Sequence, residues 1–221
     1  MKIECNLKNA AGIGGIVFVI LSLAIVCIVP PIPSLVSKTG EIMLYYETYR
    51  DRFLIGNYLA MLAAPPSFLW GAYITRAVKK AEGSDGWWWM TILGTFVMAH
   101  SMGNVLLMFY QWAAWSIGNK TAPDIATGIS DLSSHGFAFF LVAQFALALF
   151  TALATFQTKV FSKASAYLGL LTAAVSLVAS TGTIFTTGWL AAGGYATGAA
   201  LGIFMAWFFW LSVEILRQKK S

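Results

Sequence analysis

The sequence predicts an all-α fold: a polytopic membrane bundle of six transmembrane helices, with a short amphipathic helix on the outer side between the first two. The whole chain, 1–221, reads as a single integral membrane domain. Three observations predict this. Hydrophobic residues make up 58% of the chain and charged ones only 10%, against roughly 25% charged in soluble domains, so the chain cannot cover itself with polar surface in water. Six stretches contain the roughly 20 mostly apolar residues needed to cross about 30 Å of hydrocarbon. Lys and Arg fall in small clusters beside these stretches and are unequally shared between alternate gaps.

The same facts exclude other classes. The net charge of +5 is spread over clusters next to apolar runs and forms no basic face with interleaved aromatics, so membrane topology explains it better than nucleic acid. Cys5 and Cys27 belong to no CxxC or Cys/His cluster, which argues against a disulfide framework and against thiolate metal binding.

The predicted spans are Ala10–Val29, Phe53–Ile74, Trp87–Trp112, Leu132–Phe156, Ala166–Leu190 and Tyr195–Leu216. The first is longer than a signal-peptide core and ends in PPIP without a small-x-small cleavage site, so it is expected to be retained. Ten of the basic residues (Lys2, Lys8, Arg76, Lys79, Lys80, Lys159, Lys163, Arg217, Lys219, Lys220) flank one side, and Lys38, Arg50, Arg52 and Lys120 flank the other. The positive-inside bias then predicts cytoplasmic N- and C-termini in a bacterial inner membrane. Between the first two spans, Ile42, Tyr45, Tyr46 and Tyr49 recur at helical spacing among charged residues. This amphipathic helix is either an interfacial anchor with tyrosines at headgroup depth or a lid over the bundle mouth. The second outer connection, SIGNKTAPDIATGISD, is the longest polar gap and contains a sequon at Asn119–Thr121.

The layout of a first span ending in prolines, followed by GEIMLYYETYRDRFLIGNYLAMLAAPPSFLW, resembles bacterial six-helix membrane proteins of the domain-of-unknown-function 4386 group. The likeness covers the first third of the chain. It implies a six-span bundle and assigns no residue a role.

Helices in lipid associate through close contact and interhelical hydrogen bonds, so small residues at every fourth position mark contact faces. Gly194, Gly198, Gly202 and Ala206 have that spacing in the sixth span, which predicts a helix lying tightly on that face, from this chain, a second copy or a partner. Gly12 and Gly15 are a weaker instance, and GIGGIV lacks the strand and loop of a dinucleotide fingerprint. In the fifth span Thr172, Ser176, Ser180, Thr183 and Thr187 share a stripe that either bonds backbone carbonyls or lines a polar cavity. Pro65 and Pro66 near the middle of the second span predict a kink.

The polar residues that could carry chemistry are few. His100, Asn104 and Gln111 lie within about 40° on a helical wheel, and polar groups inside membrane segments usually face a bundle interior. Asp131 and His135 are four apart, so the carboxylate either orients the imidazole or caps the helix. Gln144 points away from His135 and, with Thr151 and Thr155, is expected to join helices. His100 and His135 differ by about 15 Å in depth at 1.5 Å per residue, a poor axial pair for one haem, and with Asp131 they do not supply three convergent zinc ligands. Glu214 is expected to snorkel or to pair with Arg217. MAHSMGN, residues 98–104, resembles the AHS segment of membrane styrene oxide isomerases, which implies haem b as a possible cofactor.

The expected function is therefore binding of a small lipophilic molecule, with Asn104, Gln111, Ser180 and Thr183 as polar contacts. If the protein is an enzyme, His100 or His135, assisted by Asp131, is the proton-transfer group. The alternatives are a haem b isomerase or redox protein, a transporter, and an accessory subunit whose glycine face meets a partner.

Overall fold

The computed structural model describes residues 2–30, 37, 39–118, 123–185, 188–191 and 194–218. It is all helical among these residues: α1 (Lys2–Ile28), α2 (Thr39–Glu82), α3 (Trp88–Gly118), α4 (Pro123–Thr158), α5 (Lys163–Ser180), a 3-10 turn (Thr181–Thr183) and α6 (Tyr195–Arg217). Each of the six α-helices is long and apolar enough to cross a membrane. Large apolar side chains such as Ile20, Val26, Met61, Met108 and Phe139 remain exposed on the flanks, as expected of a surface made for acyl chains.

Consecutive helices pack side by side, and α6 returns to α1, so the six form a closed ring with α2 also touching α4. Lys8 on α1 donates to the carbonyls of Leu216 and Gln218, while Gln218 accepts from Tyr73 and donates to the Val160 carbonyl. These bonds gather the starts of α1, α3 and α5 and the ends of α2, α4 and α6 at one end of the bundle. That end carries Lys8, Arg76, Lys79, Lys80, Lys159, Lys163 and Arg217; it is called the basic end below. Lys38, Lys219, Lys220 and Asn119–Thr121 lie outside the described residues.

The helix limits depart from the sequence expectation in three places. The amphipathic segment is helical, but it is the first part of α2 and not a separate helix. Ile42 and Tyr46 are buried and pack with Phe53 against Tyr110, Ala113 and Ala114 of α3. Tyr45 donates to the Pro30 carbonyl and Tyr46 sits 3.4 Å from the Ser130 hydroxyl. Tyr46 is therefore packed inside the bundle, against α3 and beside Ser130 of α4. α3 and α4 extend well beyond their predicted spans and take up most of the polar connection between them, with Pro123 opening α4, where its missing N–H has no intrahelical partner to lose. α5 stops at Ser180, about ten residues short of the predicted end, because Ser180 and Thr181 turn their hydroxyls back onto the carbonyls of Leu177 and Val178. Such bonds compete with helix propagation, and Gly182 follows directly. Helix α2 continues through Pro65 and Pro66.

The glycines reverse their expected roles. A Cβ on Gly12 would meet Leu216, one on Gly14 would stand 2.6 Å from the Pro66 carbonyl oxygen, and one on Gly15 would strike Ser212 and Trp70. α1 thus touches α6 and α2 at backbone distance. By contrast, Gly198 and Gly202 are exposed and have nothing within 4 Å of an added Cβ, and Gly194 lies against its own preceding turn. The expectation that a helix of this chain lies tightly on the Gly194–Gly202 face is thus corrected. α6 instead packs through Ala196, Ala200, Phe204, Trp207, Phe208 and Leu211, all buried. Aromatic bulk drives that choice: Phe208 stacks on Trp70 with centroids 3.8 Å apart, and no glycine face offers comparable contact area.

Glu214 also departs from expectation. Its carboxylate accepts from the backbone N–H of Ser162 and from the hydroxyls of Ser162 (3.0 Å) and Ser165 at the start of α5. A carboxylate at a helix N-terminus satisfies donors that have no intrahelical partner and complements the helix dipole.

Gly14→Ala is expected to lower stability by about 1–3 kcal/mol, the usual penalty for overpacking. Gly198→Ala and Gly202→Ala should change it by less than about 0.5 kcal/mol or raise it slightly. Denaturant titration of the three variants in detergent, followed by tryptophan fluorescence, checks the order.

Candidate functional site

A cavity of about 230 Å³ lies inside the ring, away from the basic end. α1 contributes Phe18, Ser22 and Ile25; α2 contributes Ala60, Ala63 and Ala64; α3 runs from Ala99 to Tyr110; α4 supplies Phe137, Phe140, Gln144 and Leu147; α6 supplies Leu201, Phe204 and Met205. Its position follows from how the ring closes. Near the basic end α1 and α6 are pressed together through Gly12, Gly15 and the Phe18–Phe208 ring contact. Farther along, α6 packs on α4 and α5 through Ala196 and Ala200, while α1 stays on α2 with Gly56 under Val29. The space between the parting helices is the cavity, with small residues on α2 and α3 (Ala60, Ala63, Ala64, Ala99, Gly103) leaving it unfilled.

Beside the buried Tyr110, the half-buried His100 is the second ionisable side chain of this wall. Its ring is surrounded by Phe96, Phe68 and Phe18, with centroids 4.1, 5.0 and 6.3 Å away. Nδ1 lies 3.2 Å from the Phe96 carbonyl oxygen and Nε2 lies 2.6 Å from Ser67 Oγ, which is itself 2.7 Å from the Ala64 carbonyl oxygen. Counting protons constrains the chemistry. The Phe96 oxygen can only accept, so Nδ1 carries a proton. In the neutral ring Nε2 must then accept, and the single Ser67 proton goes to it and not to Ala64. When the ring gains a second proton, Nε2 donates to Ser67 and the serine turns its own proton to Ala64, so all three contacts are satisfied only by the imidazolium. Either protonation state thus keeps Nδ1 on Phe96 and Nε2 on Ser67, with Ser67 rotating its hydroxyl between them. Ser67 itself is fully buried and outside the cavity wall, so it positions the imidazole and is not placed as a nucleophile.

Gln144 stands level with His100. Gly103 faces Phe140 and Gly136 faces Leu106, which fixes the register of α3 against α4. Gln144 is fully buried, and its Nε2 reaches Ser176 Oγ at 3.2 Å and the Ala200 carbonyl at 3.3 Å. It therefore joins α4 to α5 and α6, as expected, and also forms part of the cavity wall. Thr155 bonds the Thr151 carbonyl within α4.

The other sequence candidates scatter. Asn104 lines the cavity at its rim and is also exposed on the bundle surface. Gln111 is exposed and outside the wall, which corrects the expectation that it shares an inward face with His100. The reason is the period of α3: its buried residues Ile92, Phe96, Ala99, Leu106, Tyr110 and Ala113 repeat every seven residues, as in left-handed helix packing. Asn104 and Gln111 hold the same outer heptad position. Asp131 and His135 are half-buried neighbours on α4 that lie outside the cavity wall. Since α4 begins eight residues earlier, at Pro123, Asp131 does not cap it. Ser180 and Thr183 fall at the frayed end of α5, Ser180 bonding Leu177; the side chain of Thr183 and all of Thr187 are outside the described residues. Thr172 is buried and bonds the Leu168 carbonyl, while Ser176 of the same stripe bonds Gln144 of the cavity wall.

A haem does not fit this site. The cavity is smaller than the roughly 300–1,000 Å³ of pockets for drug-sized ligands, Nε2 of His100 is engaged by Ser67, and the helix register sets His135 about 10 Å from the level of His100 at 1.5 Å per residue. Among the described residues no three His, Cys, Asp or Glu side chains converge.

Compared with known proteins, the chain matches no family model, no curated protein and no solved structure.

The proton count predicts that neutral His100 is the Nδ1–H tautomer. Nitrogen-15 NMR of histidine-labelled protein should show an unprotonated Nε2 shifted by hydrogen bonding, and Ser67→Ala should remove that shift without changing the tautomer.

Proposed function

We propose that the protein is a multi-pass protein of the bacterial cytoplasmic membrane, its basic end facing the cytoplasm, that binds a small lipophilic molecule inside the bundle. The observation that carries this reading is the cavity itself: an apolar chamber with a single imidazole in its wall. Pockets for small molecules combine this kind of mostly apolar lining with a few convergent polar groups. The size sets the scale of the guest. An engineered apolar cavity of about 150 Å³ holds benzene, so about 230 Å³ suits one ring with a short substituent. Asn104 at the rim gives such a molecule a route from the bilayer, where lipophilic compounds concentrate.

His100 is the proton-transfer group of any reaction run here. Ser67 holds the ring in one orientation, and the neighbouring phenyl groups keep water from it, so a proton moves between the ring and the guest and not to bulk solvent. The unequal distribution of Lys and Arg supports the orientation.

Native mass spectrometry of mildly extracted protein should show a bound apolar adduct of low mass. Gly103→Leu places a side chain in the cavity, where an added Cβ meets only Phe140 at ordinary contact distance, and should abolish the adduct while the protein still elutes as a folded species. Wild-type protein that neither carries an adduct nor takes up added small aromatics sinks the proposal.

A further inference from the structure

Resting on the reading of the cavity as a ligand site, we infer that its guest enters sideways from the lipid, through a tapering slot between α1 and α6 in the half of the bilayer away from the basic end. At the basic end the two helices are in close contact: Gly12 lies against Leu216, Gly15 against Ser212, and Phe18 packs on Phe208 with centroids 4.6 Å apart. Beyond that point the same sides of both helices are bare. Gly198 lies about five turns from Leu216 and so on the same side of α6, about 27 Å farther from the basic end. It is exposed, and an added Cβ there, or on Gly202 one turn away, would meet nothing within 4 Å among the described residues. On α1, Leu23 and Val26 follow Gly12 by about three and four turns and are 52% and 67% exposed, whereas Val19 before them is 5% exposed.

The slot leads into the cavity. Ser22, one heptad beyond Gly15, and Ile25 line the chamber from α1, and Leu201 and Met205 line it from α6; all four are half-buried. Each side of the slot is therefore also a wall of the cavity. Helices in a bilayer are held together by close contact, and in this half α1 and α6 are held by other neighbours. Val29 of α1 sits on Gly56 of α2, and Ala196 and Ala200 of α6 cluster with Leu141 of α4 and Ala179 of α5. The slot thus widens without breaking a close contact between its two helices. The opening at Asn104 differs. α2 and α3 are joined on both sides of it, by His100 with Ser67 and by Phe53 with Tyr110, so its width is fixed. Glycine at 198 and 202 keeps the slot free of side chains, a role for this stripe that packing does not supply.

The experiment follows 4-fluorotoluene, one ring with a short substituent, by fluorine-19 exchange NMR on the purified full chain in lipid nanodiscs, which reads affinity and exchange rate together. A plug in the slot obstructs the path and not the bound state, since neither glycine belongs to the cavity wall. The double variant Gly198→Leu, Gly202→Leu should therefore slow exchange at least about tenfold, as a gated entry does, with affinity within about twofold of wild type. Met108→Trp, at an exposed position one turn from Asn104 on α3, should leave both quantities within about twofold. Should the double variant fail to fold, Val26→Trp on the α1 flank carries the same comparison. Exchange that the slot variants leave unchanged, or that Met108→Trp slows as much, overturns the α1–α6 doorway and leaves the cavity reading intact. Wild-type protein with no bound signal overturns the cavity reading and this inference with it.

Discussion

The architecture depends on one close approach. Three glycines in the first helix let its backbone reach α6 on one side and the Pro66 carbonyl on the other, so the ring closes at the basic end. In lipid there is no solvent to drive helices together, and contact at backbone distance supplies the attraction that water supplies elsewhere. Because closure is confined to that end, the helices are free to part farther along, and the cavity is the volume they leave. The stacked Trp70–Phe208 pair fills the closed end with aromatic bulk and so confines the open volume to the remainder.

The site has two kinds of polar group, held in different ways. His100 is fixed by its own helix and by Ser67, a residue that follows directly on the two prolines of α2. Pro65 and Pro66 remove backbone donors, yet α2 continues through them, and the serine hydroxyl there is shared between a helix carbonyl and the imidazole. Gln144 is held from the far side by α5 and α6. One group is an imidazole among aromatic rings and the other a neutral amide that ties three helices together.

Most of the fold was legible in the sequence because the bilayer sets a length scale that apolar runs must meet, and all six spans were readable on that ground. The limits of α5 were not: nothing in hydropathy distinguishes a helix from a turn when Ser180 and Thr181 bond their own carbonyls. The central histidine was legible because an ionisable group in an apolar run has few places to go. Its neighbours were misjudged for two physical reasons. A wheel drawn at 3.6 residues per turn assumes a straight, unpaired helix, whereas α3 buries a seven-residue repeat, so Gln111 turns outward. The offset between α3 and α4 depends on where α4 begins, and that start, at Pro123, lies in a stretch whose polarity reads as loop. Gln144 therefore could not be placed beside His100 from spacing alone, although a fully apolar neighbourhood around one amide was a signal that it had a specific partner. The glycine stripe of α6 is not a contact face within the chain, because an added Cβ at Gly198 or Gly202 meets nothing within 4 Å.

The pairing of α1 with α6 has a consequence for how the chain matures. Because α1 and α6 lie far apart in the sequence, α1 completes its packing only after α6 has been made, and the serines that begin α5 wait for the carboxylate of Glu214. The interior chamber, walled by both helices, takes its shape in the same step.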